Sequence, residues 1–448
     1  MLAASTSDCA LFMTDTSTDH QHFAEAVVQL GEKQDVVATQ AIFNTQGVKI
    51  IEKGVAINLG LYERLMGHKL SAPLEESVHS ANSVSGDTIR RSAEAIMRDT
   101  PFFGRMASDD KTRKLLLNVI ETVPLPDAMA LQLTVAQDVR PEIYLHLVRT
   151  ALTAAWLAKT PHVSRYDLGM AAAAGLLHDV GMLHVDPLLL QPGRTLNRDQ
   201  RRQLYSHPLL SIALVERHHQ YSRDVVRAVG EHHEYLDGSG YPRNLSGDAI
   251  SPLGRILSLS QVVAAMFAPG RSAPEMRLSV LLRMNTHRYD PTMAMQVVAL
   301  LRPQLDVMGA EMPRLANPVD LLCEIDRLVG QWPVDSAASG QLSAPRREVL
   351  ALLANHAIQI RRALAAVGAV PDQLSQLGDA ARDETVMTEL TLLTHEAAWQ
   401  LRALARQTRR RWRAVAGEQF PAALHQWLDQ VDAVAVRISG VSDVSADT

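Results

Sequence analysis

The residues best suited to chemistry are histidines and carboxylates in the central third of the chain. Glu142 and His146 are four positions apart, so on a helix they share one face and can reach a common centre. His178 and Asp179 end the run A-A-A-A-G-L-L, which predicts a helix of small residues that stops just before a glycine. A charged carboxylate is costly at a buried position unless a cation sits beside it. These residues therefore predict a metal site.

Further candidate ligands follow along the chain. His207 lies in S-H-P, and His232 and His233 are adjacent. Imidazole and carboxylate together suit Fe, Mn, Zn or Co rather than Ca, and a cluster of this size indicates two or three ions. Paired metal ions generate hydroxide at neutral pH and clamp both oxygens of an in-line phosphoryl displacement. The predicted chemistry is phosphoester hydrolysis.

The stretch from 232 to 242 reads H-H-E-Y-L-D-G-S-G-Y-P. It resembles, over its whole length, the motif H-H-E-x-x-D-G-x-G-Y-P of the HD-GYP domains, the branch of the HD phosphohydrolase superfamily that opens cyclic di-GMP. The H-D-V-G at 178–181 is similar to the family's H-D-I-G-K, and His146 precedes it by the family's usual interval of 32 residues. H-P at 207–208, R-I-L-S-L at 255–259 and R-Y-D-P at 288–291 resemble further landmarks, so the resemblance spans about residues 140 to 305.

The resemblance implies a role for each matching position. The implied metal ligands are Glu142, His146, His178, Asp179, His207, His232, His233 and Gln261. Within this set the resemblance gives the catalytic role to His178 and Asp179, and Glu142 indicates a third metal. The implied nucleotide contacts are Asp237, Gly238, Gly240, Tyr241, Pro242 and Arg271. The expected cofactors are two or three divalent transition metals, Fe or Mn first and Zn, Co or Ni as alternatives, and the expected substrate is cyclic di-GMP or a related nucleotide.

Two departures from the family pattern leave the function open. Met182 stands where the family has a lysine that meets the scissile phosphate, and a thioether supplies no charge. Gln261 stands at the last carboxylate ligand, where an amide oxygen binds metal far more weakly. The first hypothesis is that the protein is a cyclic di-GMP phosphodiesterase of reduced activity that works through metal-activated hydroxide. The alternative is a catalytically impaired receptor or scaffold that binds the nucleotide, or a protein through its G-Y-P surface. Hydrolysis of another nucleotide by the same metals is a third reading.

The elements that position these residues are predicted to be mainly α-helices, because apolar residues recur at helical spacing through most of the chain. The V-V-A-T-Q-A-I-F and V-K-I-I segments, separated by N-T-Q-G, predict a β-hairpin over residues 36–51 in a small N-terminal α+β module. A break is predicted at 368–378. The predicted organisation is a loosely ordered N-terminus at 1–34, a regulatory module at 35–130, an all-helical HD-GYP domain at 131–330, a linker at 331–345 and a C-terminal helical bundle at 346–448.

Composition narrows the class of protein. Of the 448 residues, 47% are hydrophobic and 21% are charged, with a formal net charge of -5, which gives no global reason to expect nucleic acid as a partner. The basic run at 406–413 is interpreted as a solvated helix face. No apolar run approaches the roughly 20 residues that cross a bilayer, and the start lacks a secretion signal, so a cytoplasmic protein is expected. The C-terminal helices predict a homodimerisation element.

Overall fold

The computed structural model describes residues 16–191, 196–302, 315–331, 343–378, 383–416 and 421–439. By packing, the chain divides into two units, Met1–Pro269 and Gly270–Thr448. This division lies ahead of the predicted linker, of which residues 332–342 fall outside the described residues. The predicted domain limits at 130 and 330 stay predictions.

The first unit begins with helix α1, Thr16–Gly31. Phe23, Val27 and Leu30 are at most 1% exposed and lie on its inner face. This helix lies within the segment predicted to be loosely ordered, where the sequence also indicates a short helical pattern at 23–30, and its apolar residues at helical spacing are buried against the rest of the unit. Residues 1–15 lie outside the described residues.

Four short strands follow: β1 Val36–Ala38, β2 Ile42–Phe43, β3 Lys49–Ile51 and β4 Val78–Ser80. β2 and β3 form an antiparallel hairpin around Gly47, whose φ of 78° is the left-handed conformation that favours glycine. β1 pairs with β4 rather than with β3. The predicted hairpin is therefore confirmed for its turn and for β2 and β3, whereas β1 pairs with a strand that is distant in sequence.

Helices make up most of what remains of this unit, which confirms the mainly α fold. They are α2 Tyr62–Met66, α3 Gly86–Asp99, α4 Pro101–Met106, α5 Asp110–Glu121, α6 Asp127–Val139, α7 Pro141–Ala158, α8 Arg165–Leu177, α9 Arg198–Leu204, α10 His207–Val215, α11 Arg223–Val229 and α12 Pro252–Met266. A 3-10 turn, Val180–His184, follows α8 and packs against α1 and α10.

Helices α7 and α8 form the centre of the unit and carry the first candidate ligands. Pro141 occupies the first turn of α7, and Ser164 caps α8 in a reciprocal hydrogen-bonded box with Asp167. The two helices approach closely at Gly175, because a Cβ added there would lie only 2.6 Å from the Cα of Ala151. This contact brings the end of α8 alongside the first half of α7.

The second unit is entirely helical in its described residues. Its helices are α13 Pro274–Met284, α14 Pro291–Leu300, α15 Pro318–Gly330, α16 Ala344–Ala366, α17 Pro371–Leu374, α18 Glu384–Ala416 and α19 Ala422–Ser439. Leu322, Leu353 and Trp412 are at most 1% exposed in its core. The predicted break at 368–378 is confirmed, since Gly368 and Gly378 both have positive φ on either side of the single turn of α17. Among the described residues, no helix combines the length and the apolar character that a membrane span requires.

Candidate metal centre

The first half of the centre lies where α7 meets α8. His146 is on α7 and His178 follows directly after α8, and their Nε2 atoms are 3.2 Å apart. His178 is fully buried, whereas the side chain of His146 is 18% exposed. The close approach of the two helices at Gly175 sets this spacing, because His178 is less than one helical turn beyond that glycine.

The second half is built by the start of α10 and the residues that follow α11. His207 is the first residue of α10, and His232 and His233 come just after α11. The Nε2 atom of His207 lies 3.2 Å from that of His232 and 3.1 Å from that of His233. All three side chains are buried. Residues about 25 positions apart in sequence thus converge through the packing of α10 against α11.

Asp179 joins the two halves. Its Oδ2 lies 3.2 Å from Nε2 of His178 and 3.6 Å from Nε2 of His146. Its Oδ1 lies 3.2 Å from Nε2 of both His207 and His232. Two groups of ligand atoms therefore share one carboxylate: Asp179 with His146 and His178, and Asp179 with His207, His232 and His233. A carboxylate placed with one oxygen toward each group is arranged to bridge two cations.

The orientation of the imidazoles tests whether this set fits a metal. Nδ1 of His178, His207 and His232 lies 2.9, 2.7 and 2.6 Å from the carbonyl oxygens of Gly175, Leu204 and Val229 respectively. Each Nδ1 donates its proton to that oxygen, so in the neutral ring each Nε2 carries a lone pair that faces the centre. In that form, the facing Nε2 atoms of His207 and His232 have no proton to share. Two nitrogens on one ion, each at about 2.1 Å, are about 3.0–3.4 Å apart at common coordination angles, which is the spacing found here.

The electrostatics favour the ionisation states that bind metal. Burial lowers the pKa of His146 to about 3 and that of His232 to about 4, and it holds the pKa of His233 well below its ordinary value. Burial acts to raise the pKa of Asp179, but the attraction of His178 and His207 outweighs it and keeps that pKa well below the usual range. At neutral pH the carboxylate is ionised and these three imidazoles are neutral, as metal coordination requires. In addition, Asp179 Oδ1 is buried and accepts no hydrogen bond from the residues that the structure describes.

Four further positions named from the sequence have these places in the structure. Glu142 is exposed in the first turn of α7 and belongs to neither ligand group, so its role at a third metal stays a prediction. Gln261 is 3% exposed on α12, a helix that packs against α7. Met182 is 7% exposed in the 3-10 turn after Asp179. Arg271 belongs to the second unit, and its contact with nucleotide stays a prediction.

The glycine loop lies directly beside the imidazoles. The ring of Tyr241 stacks on that of His233 at 4.5 Å, and Pro242 follows it. Asp237 accepts hydrogen bonds from the backbone N–H of Ser239 at 2.9 Å and from its hydroxyl at 2.6 Å. This local turn and the stacked ring fix the loop against the predicted metal ligands.

Glycine is required at two positions of the loop for different structural reasons. Gly238 has a φ of 74°, which a residue with a side chain rarely adopts. A Cβ on Gly240 would lie 2.3 Å from the carbonyl oxygen of His233, so only glycine lets the loop pass this close to the histidine pair. The loop positions named from the sequence are thus gathered at the rim of the cluster.

Two buried glutamates hold the loop in place, and sequence reasoning missed both. Glu234, 1% exposed, accepts the backbone N–H of Arg243 at 2.7 Å and of Leu245 at 2.8 Å, one on each carboxylate oxygen. Glu231, fully buried, accepts the N–H and the hydroxyl of Ser251 at 2.8 and 2.5 Å. The signal available in the sequence was the Glu of H-H-E itself, an acidic residue directly after two predicted ligands.

Comparison with known proteins agrees with this architecture. A family model described as "HD domain" matches residues 97–293. The "3'3'-cGAMP-specific phosphodiesterase 3" of Vibrio cholerae is 26% identical over 320 residues, which are 66% of this chain and 67% of that protein. The "Cyclic di-GMP phosphodiesterase" of the same organism is 30% identical over 135 residues, 28% of this chain and 27% of that protein.

Among solved structures, "Bd1817, a HDG"Y"P protein from Bdellovibrio bacteriovorus" matches with a TM-score of 0.34 and 18% identity, covering 48% of this chain and 71% of that one. The chain spans about two thirds of the first curated relative and about a quarter of the second. Residues 97–293 are therefore similar to the HD domain family, and the H-H-E-Y-L-D-G-S-G-Y-P loop lies within that match.

Proposed function

We propose that this protein is a metal-dependent phosphodiesterase that hydrolyses a cyclic dinucleotide, with cyclic di-GMP as the first candidate. The observation that carries the proposal is the position of Asp179, whose two carboxylate oxygens face two separate groups of imidazole Nε2 atoms. That arrangement suits two divalent cations of the Fe or Mn type. We further propose that His146, His178, His207, His232 and His233 hold them together with Asp179.

Bound divalent ions supply Lewis-acid catalysis, because they lower the pKa of water and neutralise charge on a phosphoryl group. The chain's own contribution is to orient the Nε2 atoms toward the centre, because the backbone carbonyls accept hydrogen bonds from Nδ1. The low pKa of Asp179 keeps its carboxylate charged at the reaction pH. No proton has to leave Asp179, His146 or His232 when the metals bind at neutral pH.

The loop beside the cluster provides a surface for the nucleotide. Tyr241 stacks between His233 and Tyr205, with ring centroids 4.5 and 4.7 Å away. We propose that the exposed part of this ring, next to the metal ligands, contacts the sugar or base of a bound dinucleotide. Glu234 keeps that ring in place by tying down the backbone after Pro242.

The relatives leave two substrates to compare. Two of these relatives are named as phosphodiesterases, one for 3'3'-cGAMP and one for cyclic di-GMP. Both molecules carry two phosphodiesters that bridge purine nucleosides, so the metal cluster would treat them alike. We propose cyclic di-GMP first, because the chain matches the H-H-E-x-x-D-G-x-G-Y-P motif at every fixed position.

A second candidate function rests on the two departures in the site. Gln261 and Met182 are both buried, and both are neutral where the family pattern has a charge. A site that retains the imidazoles but lacks one anionic ligand and one cation can bind a cyclic dinucleotide without cleaving it. The protein would then act as a receptor or scaffold.

The test measures metal content and hydrolysis together. Protein purified without chelator and supplied with Mn²⁺ or Fe²⁺ is expected to hold about two ions and to linearise cyclic di-GMP. His232→Ala should lower both the metal content and the rate, the latter by at least about 10–100-fold. His219→Ala is the matched control, since His219 is exposed and lies outside both ligand groups.

The outcomes separate the candidates. Fewer than about one ion per chain, with no product from either cyclic dinucleotide, would overturn the phosphodiesterase. Full metal content with binding but no product would favour the receptor. Faster hydrolysis of 3'3'-cGAMP than of cyclic di-GMP would reassign the substrate and leave the chemistry in place.

A further inference from the structure

Arg149 is a buried cation that the proposed metal chemistry leaves unused. It lies on α7 three residues after His146, so the two side chains occupy neighbouring positions on one face of the helix. The side chain is only 8% exposed. Its positive charge helps to lower the pKa of His146, which places the guanidinium within electrostatic reach of that imidazole.

Arg149 has no counter-ion within the part of the chain that the structure describes. Its Nε is buried without a hydrogen-bond partner, and no carboxylate forms an ion pair with its guanidinium. Burial lowers its pKa, and no nearby acidic group offsets that effect. A buried charge without a partner is destabilising, so an anion that binds beside this guanidinium would remove an unfavourable interaction.

The anion that fits is a phosphate. A guanidinium presents parallel N–H groups that match two oxygens of a phosphate, and it remains charged at a position where a lysine would lose its proton readily. Met182, at the position where the HD-GYP pattern has a lysine, contributes no charge, so the site needs a cation from elsewhere.

We propose that Arg149 binds a non-bridging oxygen of the substrate phosphate and replaces the positive charge that Met182 does not supply. This role rests on the proposed phosphodiesterase function, but it concerns anion binding and can be measured without turnover. Arg149 is thus a phosphate-binding residue beside the metal cluster.

The experiment titrates inorganic phosphate into the Mn²⁺-loaded protein by calorimetry and, in parallel, measures KM and kcat for cyclic di-GMP. Arg149→Gln is expected to weaken phosphate binding and to raise KM by about 10–100-fold, the range for losing a hydrogen bond to a charged group. Metal content should not change, and the melting temperature should stay the same or rise, because an uncompensated charge has been removed. Arg149→Lys should restore part of the loss.

Arg113→Gln is the control for the loss of one positive charge, since Arg113 is exposed on α5. Equal phosphate affinity in the wild type and Arg149→Gln, or a fall in metal content and melting temperature, would overturn the proposal and make Arg149 a structural residue. A wild type that binds phosphate through Arg149 but cleaves no cyclic dinucleotide would instead overturn the proposed phosphodiesterase alone.

Discussion

Replacing one glycine of α8 should damage the metal centre from a distance. A Cβ added at Gly175 would lie 2.6 and 2.7 Å from Cα and N of Ala151 and 2.8 Å from the carbonyl carbon of Thr150. Ordinary carbon contacts are about 3.5–4.0 Å, and these neighbours are backbone atoms that cannot rotate away. Gly175→Ala must therefore push α8 away from α7 by about 1 Å.

The size of the effect follows from two opposing terms. Overpacking against backbone costs about 3 kcal/mol, the upper end of the usual range. The helix gains about 1 kcal/mol when alanine replaces glycine. Gly175→Ala should thus lower the free energy of unfolding by about 2 kcal/mol. Gly169→Ala lies in the same helix with nothing within 4 Å of the added Cβ, so it should raise the stability by about 1 kcal/mol.

The same displacement should weaken metal binding. His178 follows α8, so a shift of about 1 Å moves its Nε2 beyond the 3.2 Å spacing from His146 that suits one shared ion. A loss of about 10–100-fold in Mn²⁺ affinity is expected for Gly175→Ala and none for Gly169→Ala. Urea unfolding of the chelated proteins and a Mn²⁺ titration measure the two effects. Equal stabilities and equal affinities in the two variants would refute the idea that close helix packing sets the ligand spacing.

Three more predictions concern the site. Because the pKa values of His146 and His232 fall from 6.5 to about 3 and about 4 in the fold, the unfolded chain takes up protons below pH 6.5 that the folded chain does not. In urea unfolding of the chelated protein, the free energy of unfolding should be lower at pH 5.5 than at pH 7.5 by about 1 kcal/mol per imidazole. A His232→Gln variant that loses as much stability as the wild type over this pH range would contradict this assignment. Glu234→Gln replaces an acceptor by an NH₂ group, so the hydrogen-exchange protection of the two loop amides it binds should fall by about 10–100-fold, and unchanged protection would mean that the loop is held otherwise. Gln261→Asp combined with Met182→Lys should tighten Mn²⁺ binding by about 10–100-fold and speed hydrolysis, and no gain in affinity would place Gln261 away from the metals.

Some features could be found by sequence reasoning because they are local. Glycine at a turn, a capped helix start and histidines beside a carboxylate leave their mark within a few residues. The inner hairpin around Gly47 and the break at Gly368 were predictable for this reason, since a positive φ is a property of one residue. The motif from His232 onward was recognisable because its residues are consecutive.

Long-range features were not accessible in the same way. The pairing of β1 with β4 depends on a partner strand whose identity no local pattern reveals. The role of Glu234 depends on where the N–H groups of Arg243 and Leu245 point, and this is known only once the loop has folded back. The exposure of Glu142 could not be predicted either. Helical spacing shows which face of the helix a residue occupies, but it does not show whether that turn of the helix is buried.

The sequence by itself determined the chemistry available to this protein: imidazoles, one carboxylate beside them, and a glycine loop that can pass close to both. Only the tertiary structure decided that Asp179 faces one imidazole group with each oxygen and that Arg149 is buried without a counter-ion among the described residues. The physical reason is that ligand type is a property of single residues, whereas distance, burial and the balance of charge arise from the packing of helices that are far apart in the chain.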